Sequence, residues 1–311
     1  MNKKPILIIS LIVLMFLCIS AVSAENSTQY YVDSSVSESG DGSQDSPFKT
    51  IEEAVNVVNE NETTEIYVNG GTYKPKSTIN FNLNNNQTSL TIIGIDNPVF
   101  DTSVALFKVS NGNISFLNFT FSNLVSKQIL SQNGGSVTFD NCNFNGIAAP
   151  SGGKGLFSGE NGYLNIVNSK FLNLKNKNQL IVLKNYQHVT IVNSQFTNGG
   201  RIIYSNINSA KKGGYIDIVN SSFSNCYYPV RLTANILNVS GSNFTNSMGN
   251  AIFHSASSDQ FKKFTEIYID NSRFISTTYE PAYHANDFDN IVSPTEGGDH
   301  YGSNILTSNH I

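Results

Sequence analysis

A repeated segment restricts the fold of this chain more than any other feature of the sequence. The clearest copy reads YLNIVNSKFLN over residues 163–173, and similar copies begin at Val137, Val189 and Ile216. Each copy has two apolar residues one position apart, then a corner Asn and, three positions later, a Phe. Successive corner positions lie about 21 to 30 residues apart, which is the period of one coil of a solenoid. The repeats therefore indicate a chain of stacked coils.

The pattern has a direct physical reading. Apolar residues one position apart point to the same face of a strand, and Asn suits a sharp corner because it tolerates the left-handed backbone. Stacked coils lie about 4.8 Å apart, so that like residues form ladders. We therefore predict an all-β fold, a right-handed, single-stranded parallel β-helix of about eight to ten coils. The predicted ladders consist of Asn118, Asn141, Asn168, Asn193, Asn220 and Asn271, with Gly241 in the corner of one coil, and of Phe121, Phe144, Phe171, Phe196, Phe223, Phe244 and Phe274.

The sequence divides into five segments. Residues 1–24 have a basic start, an apolar run and a small-residue end, which is the pattern of a secretory signal peptide; an uncleaved membrane anchor is the alternative. Residues 25–45 are polar, except that Tyr30, Tyr31 and Val32 are expected to pair as a first strand. We predict a helix over 46–60 that begins at Ser46 and covers the first coil. The β-helix is expected over 65–290, followed by a polar tail over 291–311. The protein is therefore expected to be secreted or on the cell surface.

Composition restricts the partners. The net charge is −4 and only 14% of residues are charged, so no basic stripe is present to bind nucleic acid. In an exported protein, Asn-x-Ser/Thr triplets predict glycan sites. Those expected to be available are Asn26, Asn61, Asn86, Asn113, Asn238 and Asn243, whereas Asn118 and Asn220 are corner residues.

Two cysteines, Cys142 and Cys226, follow the predicted signal peptide. Their positions in the repeats are three coils apart, roughly 14 Å, which exceeds the limit of about 7 Å between bridged Cα atoms. We predict two free, mostly buried thiols.

The start of the β-helix carries a family resemblance. The run YVDSS…GSQDSPFKTIEEAVNVV…EIYVNGGTYK resembles the N-terminal cap and first coil of right-handed parallel β-helix surface proteins, which are related in form to pectate-lyase-like domains. The Asn-rich coils are most similar to adhesin-like proteins of methanogenic archaea. This resemblance implies a cell-surface location and attachment to glycans or wall components of the same or partner cells.

Chemistry on this fold requires clustered acidic or basic groups. Lyases of the pectate type bind Ca²⁺ through carboxylates and use a base, and hydrolases need two carboxylates about 5 to 9.5 Å apart. Asp140 and Asp270 occupy the same repeat position but in distant coils, and Asp217 has no second carboxylate beside it. We predict no metal site and no cofactor, with Ca²⁺ relevant only to a lyase.

The remaining cluster lies near the C-terminal coils. Tyr204, Arg231, His254 and His284 are expected on one outward ladder, with Asp287 close by. Arg231, His254 and His284 are the candidates for catalysis, and the alternative interpretation is an ordinary polar face.

The sequence has no Trp, so Tyr227 and Tyr228 are the candidate sugar contacts. The favoured hypothesis is a secreted or cell-surface β-helix that mediates adhesion or cell-envelope interactions, binds glycans and has no enzymatic activity. The alternatives are a polysaccharide lyase or glycoside hydrolase acting on the outer face, and a structural wall component.

Overall fold

The chain forms a parallel β-helix in which each coil contributes one strand to each of three sheets. The computed structural model describes residues 27–59, 62–83, 89–101, 104–175, 178–185, 187–205, 213–233, 235–247, 251–254, 266–275, 292–293 and 304–307. Within these residues nine successive coils contain all three strands, as the repeats predicted.

The three sheets are parallel throughout, because each strand pairs with the equivalent strand of the next coil. Sheet 1 consists of β1 (Thr28–Val32), β2 (Thr64–Val68), β5 (Ser89–Gly94), β8 (Asn113–Leu117), β11 (Ser136–Asp140), β14 (Tyr163–Val167), β17 (His188–Val192), β20 (Tyr215–Val219), β23 (Ile236–Ser240), β26 (Glu266–Asp270) and β29 (Asn304–Thr307). Sheet 2 consists of β3 (Thr72–Tyr73), β6 (Val99–Asp101), β9 (Thr120–Ser122), β12 (Asn143–Asn145), β15 (Lys170–Leu172), β18 (Gln195–Thr197), β21 (Ser222–Ser224), β24 (Asn243–Thr245) and β27 (Arg273–Ile275). Sheet 3 consists of β4 (Ile79–Asn82), β7 (Phe107–Asn111), β10 (Leu130–Gln132), β13 (Phe157–Gly159), β16 (Gln179–Leu183), β19 (Arg201–Ser205), β22 (Tyr228–Leu232), β25 (Ile252–His254) and β28 (Val292–Ser293).

The corner between sheets 1 and 2 has the left-handed backbone that Asn tolerates and glycine adopts freely. Its residues all have φ between 45° and 64°: Asn118, Asn141, Asn168, Asn193, Asn220, Gly241 and Asn271. Amides of neighbouring coils bond to each other here, with Asn141 Nδ2 donating to Asn118 Oδ1 at 2.8 Å and Asn193 Nδ2 donating to Asn168 Oδ1 at 3.2 Å. A second row of left-handed residues follows sheet 2, at Asn123, Asn173, Asn198, Asn225 and Asn246.

The interior contains a continuous stack of phenylalanine rings along sheet 2. Successive ring centroids are 4.2 to 5.2 Å apart, and the rings are within 10° of parallel. The stack comprises Phe100, Phe121, Phe144, Phe171, Phe196, Phe223, Phe244 and Phe274. All except Phe274 are buried, so this column forms much of the core.

A buried ladder of hydroxyl groups follows the corner asparagines. The backbone N–H of Ser169 donates to Ser194 Oγ at 3.1 Å, and that of Ser194 donates to Ser221 Oγ at 3.1 Å. Each hydroxyl in turn donates within its own coil, as Ser194 Oγ does to the Val192 carbonyl at 2.8 Å. These bonds satisfy backbone N–H groups that are buried at the corner.

The N-terminal cap differs from the prediction. The helix α1 spans only Ile51–Asn56 and is capped by Thr50, whose hydroxyl forms a capping box with Glu53. It does not begin at Ser46, because Phe48 forms a parallel bridge with Val32 of β1. Strand β1 itself confirms the predicted first strand. Ile51 and Ala54 of α1 are buried against the end of the solenoid.

Two further predictions concern the cysteines and the tail. Cys142 and Cys226 are free and buried, as predicted. The prediction of a tail outside the solenoid from residue 291 is wrong for two segments, because β28 pairs with β25 and β29 pairs with β26. In the part of the chain that the structure describes, no helix has the length and hydropathy needed to cross a membrane.

Candidate functional site

The outer faces of sheets 1 and 3 carry opposite charges. The described strands of sheet 3 contain Lys108, Arg201 and Arg231 but no Asp or Glu. Those of sheet 1 contain no Lys or Arg, and their acidic residues are Glu65, Asp140, Asp217, Glu266 and Asp270. A ligand with negative charge is therefore attracted to sheet 3 and repelled by sheet 1.

Five side chains on and beside sheet 3 form a compact group, which we call the Arg–Tyr cluster: Arg201, Tyr204, Tyr227, Tyr228 and Arg231. The Arg231 guanidinium carbon lies 4.8 Å from the centre of the Tyr204 ring. That of Arg201 lies 5.8 Å from the Tyr204 ring and 6.0 Å from the Tyr227 ring. The rings of Tyr227 and Tyr228 meet edge to face at 4.6 Å. All five side chains are partly exposed.

The register of β19 and β22 brings the cluster together. Tyr204 is opposite Arg231, and Arg201 is opposite Tyr228, so that each arginine has a tyrosine in the neighbouring coil. The backbone N–H of Tyr227 donates to the Gly199 carbonyl at 3.1 Å, which fixes the turn before β22. Because the rings hold the guanidinium groups in place, less side-chain entropy is lost when a ligand binds.

Arg201 is the member of the cluster that the sequence reasoning missed. Its Nε is buried and has no hydrogen-bond partner among the described residues. The available signal was the run RIIYS, in which an arginine stands three residues before the outward Tyr204. The sequence spacing alone does not place the Arg201 guanidinium group near a tyrosine ring, because this also requires the register of β19 and β22.

The predicted outward ladder of Tyr204, Arg231 and His254 is wrong at His254, which is shifted by one residue along its strand. Arg231 is opposite Phe253, and His254 is opposite Leu232, which is buried in the core. The remaining candidates, His284 and Asp287, lie outside the described residues. The structure therefore places Arg231 beside the Tyr204 ring and opposite Phe253 of the next coil.

The predicted glycan sites differ in their surroundings. Asn243 is exposed on β24, and Asn113 is partly buried on β8. The side chain of Asn238 donates a hydrogen bond to Asp217 Oδ1 at 2.6 Å, so its amide nitrogen is already engaged. Asn26, Asn61 and Asn86 lie outside the described residues.

Three aspartates of sheet 1 lie at separate places along the solenoid. Asp140 and Asp270 share an outward column but are separated by Val167, Val192, Val219 and Ser240. Asp217 lies between Thr190 and Asn238. Its burial raises the pKa of the carboxyl, and the hydrogen bond from Asn238 acts in the opposite direction. Among the described residues, no three His, Cys, Asp or Glu side chains are grouped as a metal site.

Comparison with known proteins supports the fold. No protein-family model matches the chain, and no curated protein matches its sequence. A rhamnogalacturonan lyase is similar in structure with a TM-score of 0.50 and 14% identity, and the match covers 88% of each chain. Pectate lyase Pel9A is similar with a TM-score of 0.50 and 18% identity, covering 87% of this chain and 82% of that one. At these identities the likeness shows the pectate-lyase-like β-helix fold alone, and the resemblance to adhesin-like proteins stays a prediction.

Proposed function

We propose that this protein is a secreted or cell-surface β-helix that binds acidic glycans through the Arg–Tyr cluster and mediates adhesion or cell-envelope contacts without cleaving them. The observation that supports the proposal is the grouping of two guanidinium groups with three phenol rings on a face whose described strands contain no carboxylate. The expected ligand is a polysaccharide that contains uronic acid, located in the wall or on the surface of the same or a partner cell.

The chemistry of the cluster suits such a ligand. A guanidinium group binds a carboxylate along its N–H edge through two parallel hydrogen bonds, and it also packs against an aromatic ring. The flat face of a tyrosine ring packs against the apolar face of a pyranose, while its hydroxyl bonds to the sugar. Arg201 and Arg231 would therefore bind the carboxylate groups, and Tyr227 or Tyr228 would contact the sugar rings.

A second candidate function is a polysaccharide lyase, because the two similar structures described above are named as a rhamnogalacturonan lyase and a pectate lyase. In that case Arg231 would act near the proton that is removed, and Ca²⁺ would be required to neutralise the uronate. Glycan binding is favoured over the lyase because the guanidinium groups of the cluster lie against tyrosine rings, whereas the register places Arg231 opposite Phe253 and not opposite His254.

The binding proposal is tested by titrating residues 25–311 with polygalacturonate in a calorimeter. Arg201→Gln and Arg231→Gln should each weaken binding about tenfold or more, because a hydrogen bond to a charged group contributes about 1.5 to 3 kcal/mol. The control is Arg273→Gln, which removes the same charge from an exposed position on sheet 2. Equal affinity of all four proteins, or no binding by the parent, contradicts the proposal.

The same proteins distinguish binding from cleavage. Ultraviolet absorbance is followed with polygalacturonate in the presence and absence of Ca²⁺, since a lyase leaves unsaturated ends. We expect no change in absorbance. An increase that requires Arg231 would establish the lyase in place of the adhesive function.

A further inference from the structure

An aromatic stack lies on the outer face of sheet 1, away from the Arg–Tyr cluster. Tyr163, His188 and Tyr215 are the first residues of β14, β17 and β20. Their rings are parallel within 17°, with centroids 4.9 and 5.2 Å apart. The two tyrosines are 54% and 43% exposed, which is unusual for large side chains in this solenoid. The stack exposes aromatic surface that the fold does not bury.

The two ends of the stack are different. The coil before Tyr163 places Ser136 opposite it, whereas the coil after Tyr215 places Ile236 opposite it. A serine side chain extends only to its hydroxyl group, so Ser136 does not cover the ring face of Tyr163 that points towards it. We call this ring face the Tyr163 wall. At the other end the larger Ile236 lies beside Tyr215. Only Tyr163 therefore offers a ring face that a ligand can pack against.

A polar floor extends from the Tyr163 wall towards the N-terminus. Three consecutive coils place small or amide side chains in the first two outward columns of β5, β8 and β11, and all are partly exposed, whereas the third outward column holds Ile93, Leu117 and Asp140. Asn165 Nδ2 donates to Ser136 Oγ at 3.4 Å and to Thr138 Oγ1 at 3.2 Å, which holds the floor at the foot of the wall. The floor consists of Ser89, Thr91, Asn113, Ser115, Ser136 and Thr138.

Towards the N-terminus the floor ends at the carboxylate of Glu65, which hydrogen bonds hold in position. Glu65 is opposite Thr91 and accepts hydrogen bonds from Tyr67 Oη at 2.8 Å and from Gln29 Nε2 at 3.2 Å. The bond to Glu65, with burial, raises the pKa of Tyr67 to about 12. From Glu65 to the Tyr163 wall the surface spans four coil steps, or about 19 Å.

We infer that this surface, which we call the sheet 1 shelf, is a second saccharide site that takes an uncharged oligosaccharide. The Tyr163 ring packs against one pyranose, and the hydroxyl and amide groups of the floor bond to the hydroxyl groups of the following sugars. The charge argues for a neutral ligand, because Glu65 and Asp140 border the floor and the described strands of sheet 1 contain no Lys or Arg. An acidic glycan would be repelled here and attracted to sheet 3.

The shelf is tested with residues 25–311 and a glycan array of neutral oligosaccharides, followed by calorimetry with the neutral hexasaccharide that gives the highest signal. Tyr163→Ala should lower the affinity at least tenfold, which is the loss typically measured when an aromatic residue that dominates a binding surface is replaced by alanine. Tyr163→Phe should retain binding within about threefold, because the ring face is kept. Tyr215→Ala is the matched control, since it removes an exposed ring from the other end of the stack, beside Ile236.

Replacing Ser136 by a larger residue provides a second test, in which no aromatic ring is removed. Ser136→Tyr adds a ring one coil before Tyr163, which covers the Tyr163 ring and shortens the polar floor by one coil, so the affinity for the neutral hexasaccharide should fall while the melting temperature is kept. Binding of polygalacturonate should be unchanged in all these variants, so the shelf and the acidic-glycan proposal are measured separately. The inference is overturned if no neutral glycan on the array binds, if Tyr163→Ala and Tyr215→Ala lose affinity equally, or if Ser136→Tyr binds the hexasaccharide with unchanged affinity.

Discussion

Replacing Phe196 by alanine is the most direct perturbation of the interior stack. The Phe196 ring is fully buried and lies parallel to Phe171 at 4.6 Å and to Phe223 at 4.9 Å. Burial of 150 to 250 Å² of aromatic surface at about 25 cal/mol per Å² contributes about 4 to 6 kcal/mol. Alanine keeps a small part of this contribution but leaves a cavity between two rings that the neighbouring backbones hold apart. We therefore expect a loss of about 3 to 5 kcal/mol in the free energy of unfolding.

The loss should be measured by urea denaturation followed by circular dichroism, with Phe274→Ala for comparison. Phe274 is the last ring of the stack, has one stacked neighbour and is only partly buried, so its replacement should cost less. In a solenoid each coil contacts only its neighbours, and a central cavity weakens two coil interfaces whereas a terminal one weakens a single interface. A loss below about 1 kcal/mol for Phe196→Ala, or an equal loss for both variants, would refute the ring stack as the main support of the core.

Three further measurements follow from the corner, the buried carboxyl and the thiols. Asn193→Ala should cost about 1 to 2 kcal/mol by urea denaturation, because φ is 51° at this residue, whereas Asn193→Gly should cost less since glycine adopts that backbone freely. Burial raises the pKa of the Asp217 carboxyl, so the folded state holds its proton more tightly than the unfolded chain. Stability from this group is present below the unfolded pKa, near 3.9, and decreases as the pH rises through the folded pKa; Asp217→Asn should flatten the profile over that range, and an unchanged profile would contradict this assignment. Burial also raises the pKa of Cys142 and of Cys226 to about 12, so neither thiol should react with a disulfide reagent at neutral pH until urea unfolds the chain, and rapid labelling of the native protein would contradict their burial.

The repeat made the fold predictable from sequence, because the same residues meet the same backbone demand in every coil. Asn168 and Asn220 both have φ of 48°, and Phe171 and Phe223 belong to one stack. The serine after each corner Asn was also visible in the repeat, but its role was not predicted. Only the structure shows that Ser194 accepts a backbone N–H from one coil and donates to a carbonyl of its own coil.

Features outside the repeat were harder to predict. The outward position of His254 was misplaced by one residue, because the sequence between β22 and β25 gives no marker of register. The start of α1 was placed at Ser46, although the choice between Ser46 and Thr50 depends on Phe48 pairing with β1. In both cases a tertiary contact decided between two locally acceptable arrangements.

A buried pair of glutamine side chains shows that a contact between non-adjacent coils can decide which residue the coil between them requires. Gln187 Nε2 donates to Gln132 Oε1 at 2.8 Å, although one coil lies between these residues and both side chains are buried. The bond can form because the coil between them has Gly159 at this position, where an added Cβ would clash with the Gln187 side-chain amide. No local pattern around Gly159 indicates this requirement, since the repeat there is interrupted.

The separation of the two proposed glycan sites follows from the same distinction between repeated and variable positions. Interior and corner positions are restricted by stacking, so their residues recur, whereas outward columns contact only the equivalent positions of neighbouring coils and are free to differ. On sheet 3 these columns place Arg201 and Arg231 beside tyrosines, and on sheet 1 they place Tyr163 beside Ser136 with acidic residues at the border. Because the coils fix the distance and orientation between the faces, the charged and neutral ligands can bind together without sharing a residue. The proposed sites would therefore let one rigid solenoid contact two kinds of wall polysaccharide at the same time, and saturation with polygalacturonate should leave the affinity for a neutral oligosaccharide unchanged.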